Sequence, residues 1–133
     1  MKILVTGATG FIGNHLINDL LKNKSIEIIA TSRNIDKAKK FDWFDKVNYI
    51  PYDLNDFDKD NNLYELFTKP DKVIHLAWDG LPNYNDLIHI EQNLISNYRF
   101  IKSLIDCGLK DITITGTCFE YGMQNGCLSE AII

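Results

Sequence analysis

Compact apolar runs alternate with helically spaced apolar positions along the whole chain. Segments 3–5, 26–31, 47–50, 73–77 and 112–115 are short and rich in Ile and Val, the pattern of strands buried on both faces. Between them, Phe11, Ile12, Leu16, Leu20 and Leu21 are spaced to share the inward face of a first helix. A lysine-rich helical turn is expected at 36–40, and a helix at about 61–68 with Leu63, Leu66 and Phe67 inward, stopped before Pro70. The longest periodic stretch, 84–107, places Leu87, Leu94, Tyr98, Ile101 and Ile105 on one stripe, widened by Ile90 and Leu104, with Gly108 as its stop. That stripe is expected to cover the sheet, leaving part of the other face for a partner subunit. Asn93 and Asn97, one turn apart, are expected to be solvated or capping, with Asn93 within reach of a ligand.

Five strands alternating with helices specify an α/β doubly wound parallel sheet, the Rossmann fold, and right-handed crossovers give the order 3-2-1-4-5. Ligand binds such a sheet outside the carboxyl ends of strands one and four. The stretch after strand one, Gly7-Ala8-Thr9-Gly10-Phe11-Ile12-Gly13, has three glycines spaced G-x-x-G-x-x-G between a strand and a helix start. Gly7 and Gly10 can shape a loop whose N–H groups face a pyrophosphate, and Gly13 lets the first helix approach the first strand. A receiver or flavodoxin-like module would need an acidic cluster or a flavin loop where these glycines stand.

At the tip of strand two, where an acid would bind a ribose 2′-hydroxyl and a cation a 2′-phosphate, the chain carries Ser32 and Arg33. This favours NADP, with NAD as the alternative; a merely solvated Arg33 is the competing reading. After strand three, Asp53 can accept from an adenine amino group while Leu54 packs on the ring, or Asp53 can serve as a turn residue. His75, within strand four and without a local partner in sequence, reads as a hydrogen-bonded core histidine.

Charge narrows the ligand class. The chain has 133 residues, 45% of them hydrophobic, enough for one domain with a sizeable core. A net charge of −4 and an isoelectric point near 5.2 argue against nucleic acid and anionic membranes and for a small ligand. No apolar run is long enough for a membrane span and none reads as a leader, so a cytoplasmic location is expected. Cys107, Cys118 and Cys127 lack zinc-site spacing and read as reduced thiols.

With the glycine stretch, Asp53-Leu54, His75-Leu76-Ala77, Asn93, Thr115-Gly116-Thr117 and Tyr121-Gly122 in this order, the chain resembles the extended short-chain dehydrogenase/reductase family. Within it the likeness is to the NAD(P)-dependent nucleotide-sugar epimerases, dehydratases and reductases. The resemblance implies that Gly7, Gly10, Phe11 and Ile12 line the pyrophosphate, with Thr9 in the same cofactor-binding loop. It places Asp53 and Leu54 at adenine and Leu76, Ala77 and Trp78 beside the ribose, Trp78 replacing the small residue usual there. Thr117 matches the family's catalytic Ser/Thr, whose hydroxyl bonds the sugar oxygen as hydride moves. The family's Tyr-x-x-x-Lys pair is not found after strand five: Tyr121 is followed by Asn125, and the pair would fall past Ile133. Tyr98 and Lys102 have the spacing but lie before that strand and are rejected. The expectation is therefore one domain, 1–133, forming the N-terminal cofactor-binding part of a nucleotide-sugar enzyme that transfers hydride at a sugar carbon, with a homodimer through helix 84–107. A non-catalytic NADP(H)-sensing module is the alternative.

Overall fold

The computed structural model describes residues 1–56, 62–117, 122, 126, 127 and 129. Cys118 and Tyr121 lie outside the described residues, as does Asn61 at the start of the expected third helix. The strands are β1 (Lys2–Thr6), β2 (Glu27–Thr31), β3 (Asn48–Tyr49), β4 (Lys72–His75) and β5 (Asp111–Ile114). All pair in parallel, in the order β3-β2-β1-β4-β5. β1 is central, with Thr6 in register with Thr31 on one side and His75 on the other. β5 pairs with β4 and is an edge among the described residues; Lys72 and Asp111, opposite each other at its start, form a 2.9 Å ion pair.

Alternating strand residues divide the core in two. Ile3, Val5, Ile28 and Ala30 face one side and pack with Ala8, Ile17, Ala38 and Trp43. Leu4, Ile29 and Val73 face the other, against Leu63, Phe67, Phe100, Leu104 and Leu109. Trp43 is fully buried, stacked on Phe41, and donates its indole N–H to Asn14 Oδ1 at 2.9 Å, so its one polar group is satisfied.

The helices are α1 (Phe11–Leu20), α2 (Ile35–Ala38), α3 (Leu63–Leu66) and α4 (Ile95–Asp106). Asn34 and Asn62 cap α2 and α3, each accepting from a backbone N–H three residues on. The inward face of α1 is set by Gly13 and Ile17, with Leu16, Leu20 and Leu21 partly buried beside them; Phe11 and Ile12 lie exposed on the first turn. Leu66 of α3 is likewise exposed, leaving Leu63 and Phe67 inward.

The expected helix over 84–107 differs in start and in orientation. Residues 84–87 form turns, because Asp86 Oδ1 accepts the Ile88 N–H at 3.0 Å and so begins the helix later. A π-helical segment, His89–Leu94, then leads into α4. The sheet-facing residues are Asn93, Asn97, Phe100 and Leu104, whereas Leu87, Ile90, Leu94, Tyr98 and Ile105 are exposed. In α4 the two stripes lie roughly a quarter-turn apart. Gly108, at φ 113°, ends the helix as expected, with the Leu109 N–H returning to the Leu104 carbonyl.

Candidate functional site

The carboxyl ends of β1, β2 and β4 enclose a cleft of about 270 Å³. Its floor follows from the glycines. Gly7 has φ 66°, and a Cβ there would come within 2.9 Å of the Leu76 carbonyl carbon, so the β1 turn and the chain leaving β4 approach through space only glycine leaves. A Cβ on Gly13 would strike the Gly7 carbonyl and lie 2.9 Å from Ala8 Cα. Gly10 caps α1 without any side-chain cap, so first-turn N–H groups and the positive end of the helix dipole meet the cleft uncompensated by a side chain. The Thr31 hydroxyl is fully buried, lines the cleft and has no hydrogen-bond partner among the described residues. An uncapped helix start, a glycine cradle and an unspent buried hydroxyl fit a phosphate-bearing ligand.

Of the residues expected at the cofactor, Gly7, Thr9, Gly10, Ser32, Arg33, Asp53, Leu54, Leu76, Ala77 and Trp78 all line this cleft. Phe11 and Ile12 do not line it: their side chains point to solvent, and only their backbone N–H groups belong to the first turn. The Tyr49 hydroxyl donates to the Ser32 carbonyl at 2.8 Å and sits 2.8 Å from Ser32 Oγ, fixing the β2 tip. Asp53 Oδ1 accepts the Asn55 N–H at 3.0 Å, the turn role weighed from sequence, while the residue also faces the cleft.

Arg33 is not simply solvated: no acid neighbours it in sequence at the β2 tip, but the fold brings one to it. Its Nη1 donates to Asp79 Oδ2 at 2.8 Å, from a loop 46 residues distant in sequence. That hydrogen bond holds the Asp79 carboxyl below its ordinary range, against the smaller effect of burial and with help from the Arg33 charge and the Gly80 N–H. Both side chains are about half exposed, so the pair contributes at most about 1 kcal/mol to stability.

Beneath the cleft runs a directed polar network. Thr6 Oγ1 accepts the Leu76 and Ala77 N–H groups at 3.1 and 3.2 Å, which turns its own proton toward His75 Nδ1 at 2.9 Å. His75 Nε2–H then donates to Asn97 Oδ1 at 2.6 Å, and Asn97 Nδ2 donates to the Asn93 carbonyl at 2.6 Å. Asn93 Nδ2 closes the route by donating to the Asp79 carbonyl at 2.9 Å. His75 is thus the hydrogen-bonded core histidine expected, with partners from β1 and α4 that sequence proximity could not supply. Burial lowers its pKa, opposed by the bond to Asn97. Asn93 and Asn97 are buried connectors, not solvated or capping residues.

Thr117 is exposed and lines a second, more apolar cavity of about 740 Å³ with Tyr84, Leu94, Tyr98, Ile101 and Ile114. Ala77, Trp78 and Asn97 line both cavities and so join them. Trp78 is braced there by stacking on His89, with its indole N–H donating to His89 Nδ1 at 3.0 Å. Lys102 engages Asp106 at 2.7 Å, one turn along α4. Among the cleft residues that sequence reading missed are Thr31, Lys37 and Asp79; Lys37, on α2, is a second cation in the cleft lining. The cleft position of Thr31 was readable from its place at the β2 terminus.

Residues 3–132 match the NAD dependent epimerase/dehydratase family. The chain belongs to this family. It is 29% identical over 122 residues to dTDP-6-deoxy-L-talose 4-dehydrogenase (NAD(+)) of Aggregatibacter actinomycetemcomitans, an alignment covering 92% of this chain and 43% of that enzyme. It is 30% identical over 129 residues to UDP-glucuronic acid decarboxylase 6 of Arabidopsis thaliana, covering 92% of this chain and 35% of that one. Among solved structures, UDP-glucuronic acid 4-epimerase from Bacillus cereus in complex with NAD superposes with a TM-score of 0.73 at 26% identity, across 100% of this chain and 45% of the epimerase. The chain spans less than half the length of these relatives. As an NAD-dependent epimerase/dehydratase family member, it places its glycine loop where the fold binds ligand, at the carboxyl ends of β1 and β4. No helix among the described residues is long and apolar enough to cross a membrane.

Proposed function

We propose that residues 1–133 form one cofactor-binding domain of an enzyme that transfers hydride at a carbon of a nucleotide-sugar, in an epimerase, dehydratase or reductase reaction. The observation that carries this reading is the glycine cradle, in which Gly7 and Gly13 leave room only for backbone at the uncapped start of α1. In this reading Gly7, Thr9, Gly10 and the N–H groups of Phe11 and Ile12 hold the pyrophosphate. Asp53 and Leu54 meet adenine, Ser32 and Arg33 meet the adenosine ribose, and Leu76, Ala77 and Trp78 flank the second ribose. When bound, the cofactor supplies or receives hydride; the Thr117 hydroxyl, in the adjoining cavity, donates to the developing sugar oxyanion or accepts from the alcohol.

The preferred cofactor in this reading is NADP. Arg33 and Lys37 line the β2 side of the cleft, where a 2′-phosphate offers Lys37 a charged partner and Arg33 one in place of Asp79. Equilibrium titration of the chain with NADPH and NADH tests this, repeated with Arg33→Ala. Tighter binding of NADPH that falls toward the NADH value in the variant supports it; equal binding of both nucleotides by the unaltered chain refutes the cofactor preference.

A second copy of the chain on α4 completes the proposal. Leu94, Tyr98 and Ile105 are exposed on one face, a stripe that a two-fold interface would bury. Sedimentation equilibrium should show a dimer that Ile105→Glu, on α4 and outside the lining of the second cavity, dissociates; a monomer at every concentration removes this part of the reading.

A further inference from the structure

In the sheet β1 lies between β2 and β4, and Arg33 and Asp79 belong to the segments leaving those flanking strands. Their 2.8 Å pair therefore links the two lips of the cleft across the glycine loop. Both members line the same cavity as Gly7 and Gly10, so the pair borders the space where a dinucleotide would lie. Asp79 is set in place from two further directions. Its Oδ1 accepts the Gly80 N–H at 3.1 Å, and its carbonyl accepts Nδ2 of the buried Asn93 at 2.9 Å. Gly80 itself has φ 80°, and a Cβ there would come within 2.9 Å of Ile88 Cγ2, so the turn that orients Asp79 is restricted to glycine. This leaves Oδ2 presented to Arg33.

We propose that Asp79 is a cofactor-selectivity residue that competes with the ligand for Arg33. This rests on the reading of Arg33 as the 2′-phosphate cation. With the pair formed, the guanidinium is occupied, and only a group more anionic than a carboxylate draws it away. A phosphomonoester carries a charge of about −1.5 to −2 and accepts bidentate hydrogen bonds, so NADPH replaces the Asp79 contact. The uncharged 2′-hydroxyl of NADH has nothing to offer in exchange, and the pair stays closed. Asp79 thereby weakens NADPH binding relative to NADH and keeps the preference moderate. Because the pair is half exposed, opening it is cheap, and the effect is a few-fold, not orders of magnitude.

The test is equilibrium titration with NADPH and NADH, followed by nucleotide fluorescence, of the unaltered chain, Asp79→Asn, Asp79→Glu, Arg33→Ala and the double variant Asp79→Asn/Arg33→Ala. Asp79→Asn keeps the oxygen that accepts from Gly80 and removes the charge that holds Arg33. The ratio of NADPH to NADH affinity should rise about three- to fivefold in Asp79→Asn, a gain the size of a released exposed ion pair. It should return to the unaltered value in Asp79→Glu, and the gain should vanish when Arg33 is already Ala. The ratio corrects for any repulsion between Asp79 and the pyrophosphate common to both nucleotides. An unchanged ratio in Asp79→Asn, or the same gain without Arg33, overturns the role of Asp79 while leaving the Arg33 reading intact. If Arg33→Ala alone leaves the ratio unchanged, the cofactor reading itself fails, and the role of Asp79 with it.

Discussion

The Thr6 hydroxyl lies 2.9 Å from His75 Nδ1 while accepting two backbone N–H groups from the chain leaving β4, so one side chain fixes both the histidine's tautomer and the wall of the cleft. Thr6→Val removes that oxygen and leaves the Leu76 and Ala77 N–H groups and His75 Nδ1 without their partner. The expected loss is about 2–3 kcal/mol of stability by denaturant unfolding. Thr6→Ser keeps the hydroxyl and should lose well under half as much; equal losses would remove the hydrogen bonds from the explanation.

The same network gives a pH dependence of defined sign. Burial lowers the folded-state pKa of His75 below 6.5, so folded His75 stays neutral where the unfolded chain already binds a proton. Stability from this group is therefore complete above about pH 6.5 and is lost as pH falls below it, by up to about 1.4 kcal/mol per pH unit until the folded pKa is reached. Unfolding midpoints measured from pH 7.5 down to 5.5 should fall more steeply for the unaltered chain than for His75→Gln, in which the carboxylates still titrate. Parallel slopes would show that His75 does not carry the effect.

The glycines separate into strained and tolerant positions. Gly7→Ala forces a Cβ into the Leu76 carbonyl at a positive φ and should cost about 1–3 kcal/mol. Gly10 has an ordinary φ of −79°, and its Cβ would sit 3.1 Å from the Gly7 carbonyl oxygen, so Gly10→Ala should cost clearly less. Thermal unfolding of the two variants side by side checks the order, and a reversal would contradict the cradle geometry.

Which face of α4 supports the fold is also open to measurement. Leu104→Ala empties a fully buried position and should cost about 2–5 kcal/mol. Tyr98→Gln, on the exposed stripe, should change monomer stability by no more than about 0.5 kcal/mol. Comparable losses at both positions would restore the face expected from hydrophobic spacing.

That face shows where sequence reading stops. Strand order and the glycine turn were legible because parallel pairing needs apolar runs and because a strand feeding a glycine-rich turn leaves few alternatives. The inward side of the π-helical segment and α4 was not, because each places an asparagine, Asn93 and Asn97, toward the sheet, and their burial depends on the Asp79 carbonyl and His75. Hydrophobic spacing therefore selected a stripe centred a quarter-turn away, of which Ile101 and Leu104 pack on the core while Leu87, Ile90, Leu94, Tyr98 and Ile105 are exposed. In α1 the equivalent error came from Phe11 and Ile12, apolar residues beside the cleft, where Gly13 takes the place next to the strand. Most cleft residues could be named from their positions at strand ends. Asp79 as the partner of Arg33 could not: the legible sheet order brings the loops after β2 and β4 to one end of the sheet, but the Gly80 turn and the buried Asn93 aim this carboxylate at Arg33.

The most direct test of the central claim is a backbone-amide NMR titration of the chain with NADPH. Saturable shifts should concentrate at Gly7 to Gly13, at Ser32 to Lys37, at Asp53 to Asn55 and at Leu76 to Asp79, four segments that meet around the cleft. Absence of shifts at millimolar nucleotide, or shifts confined to the cavity beside Thr117, would contradict the assignment of the glycine cradle as the cofactor site.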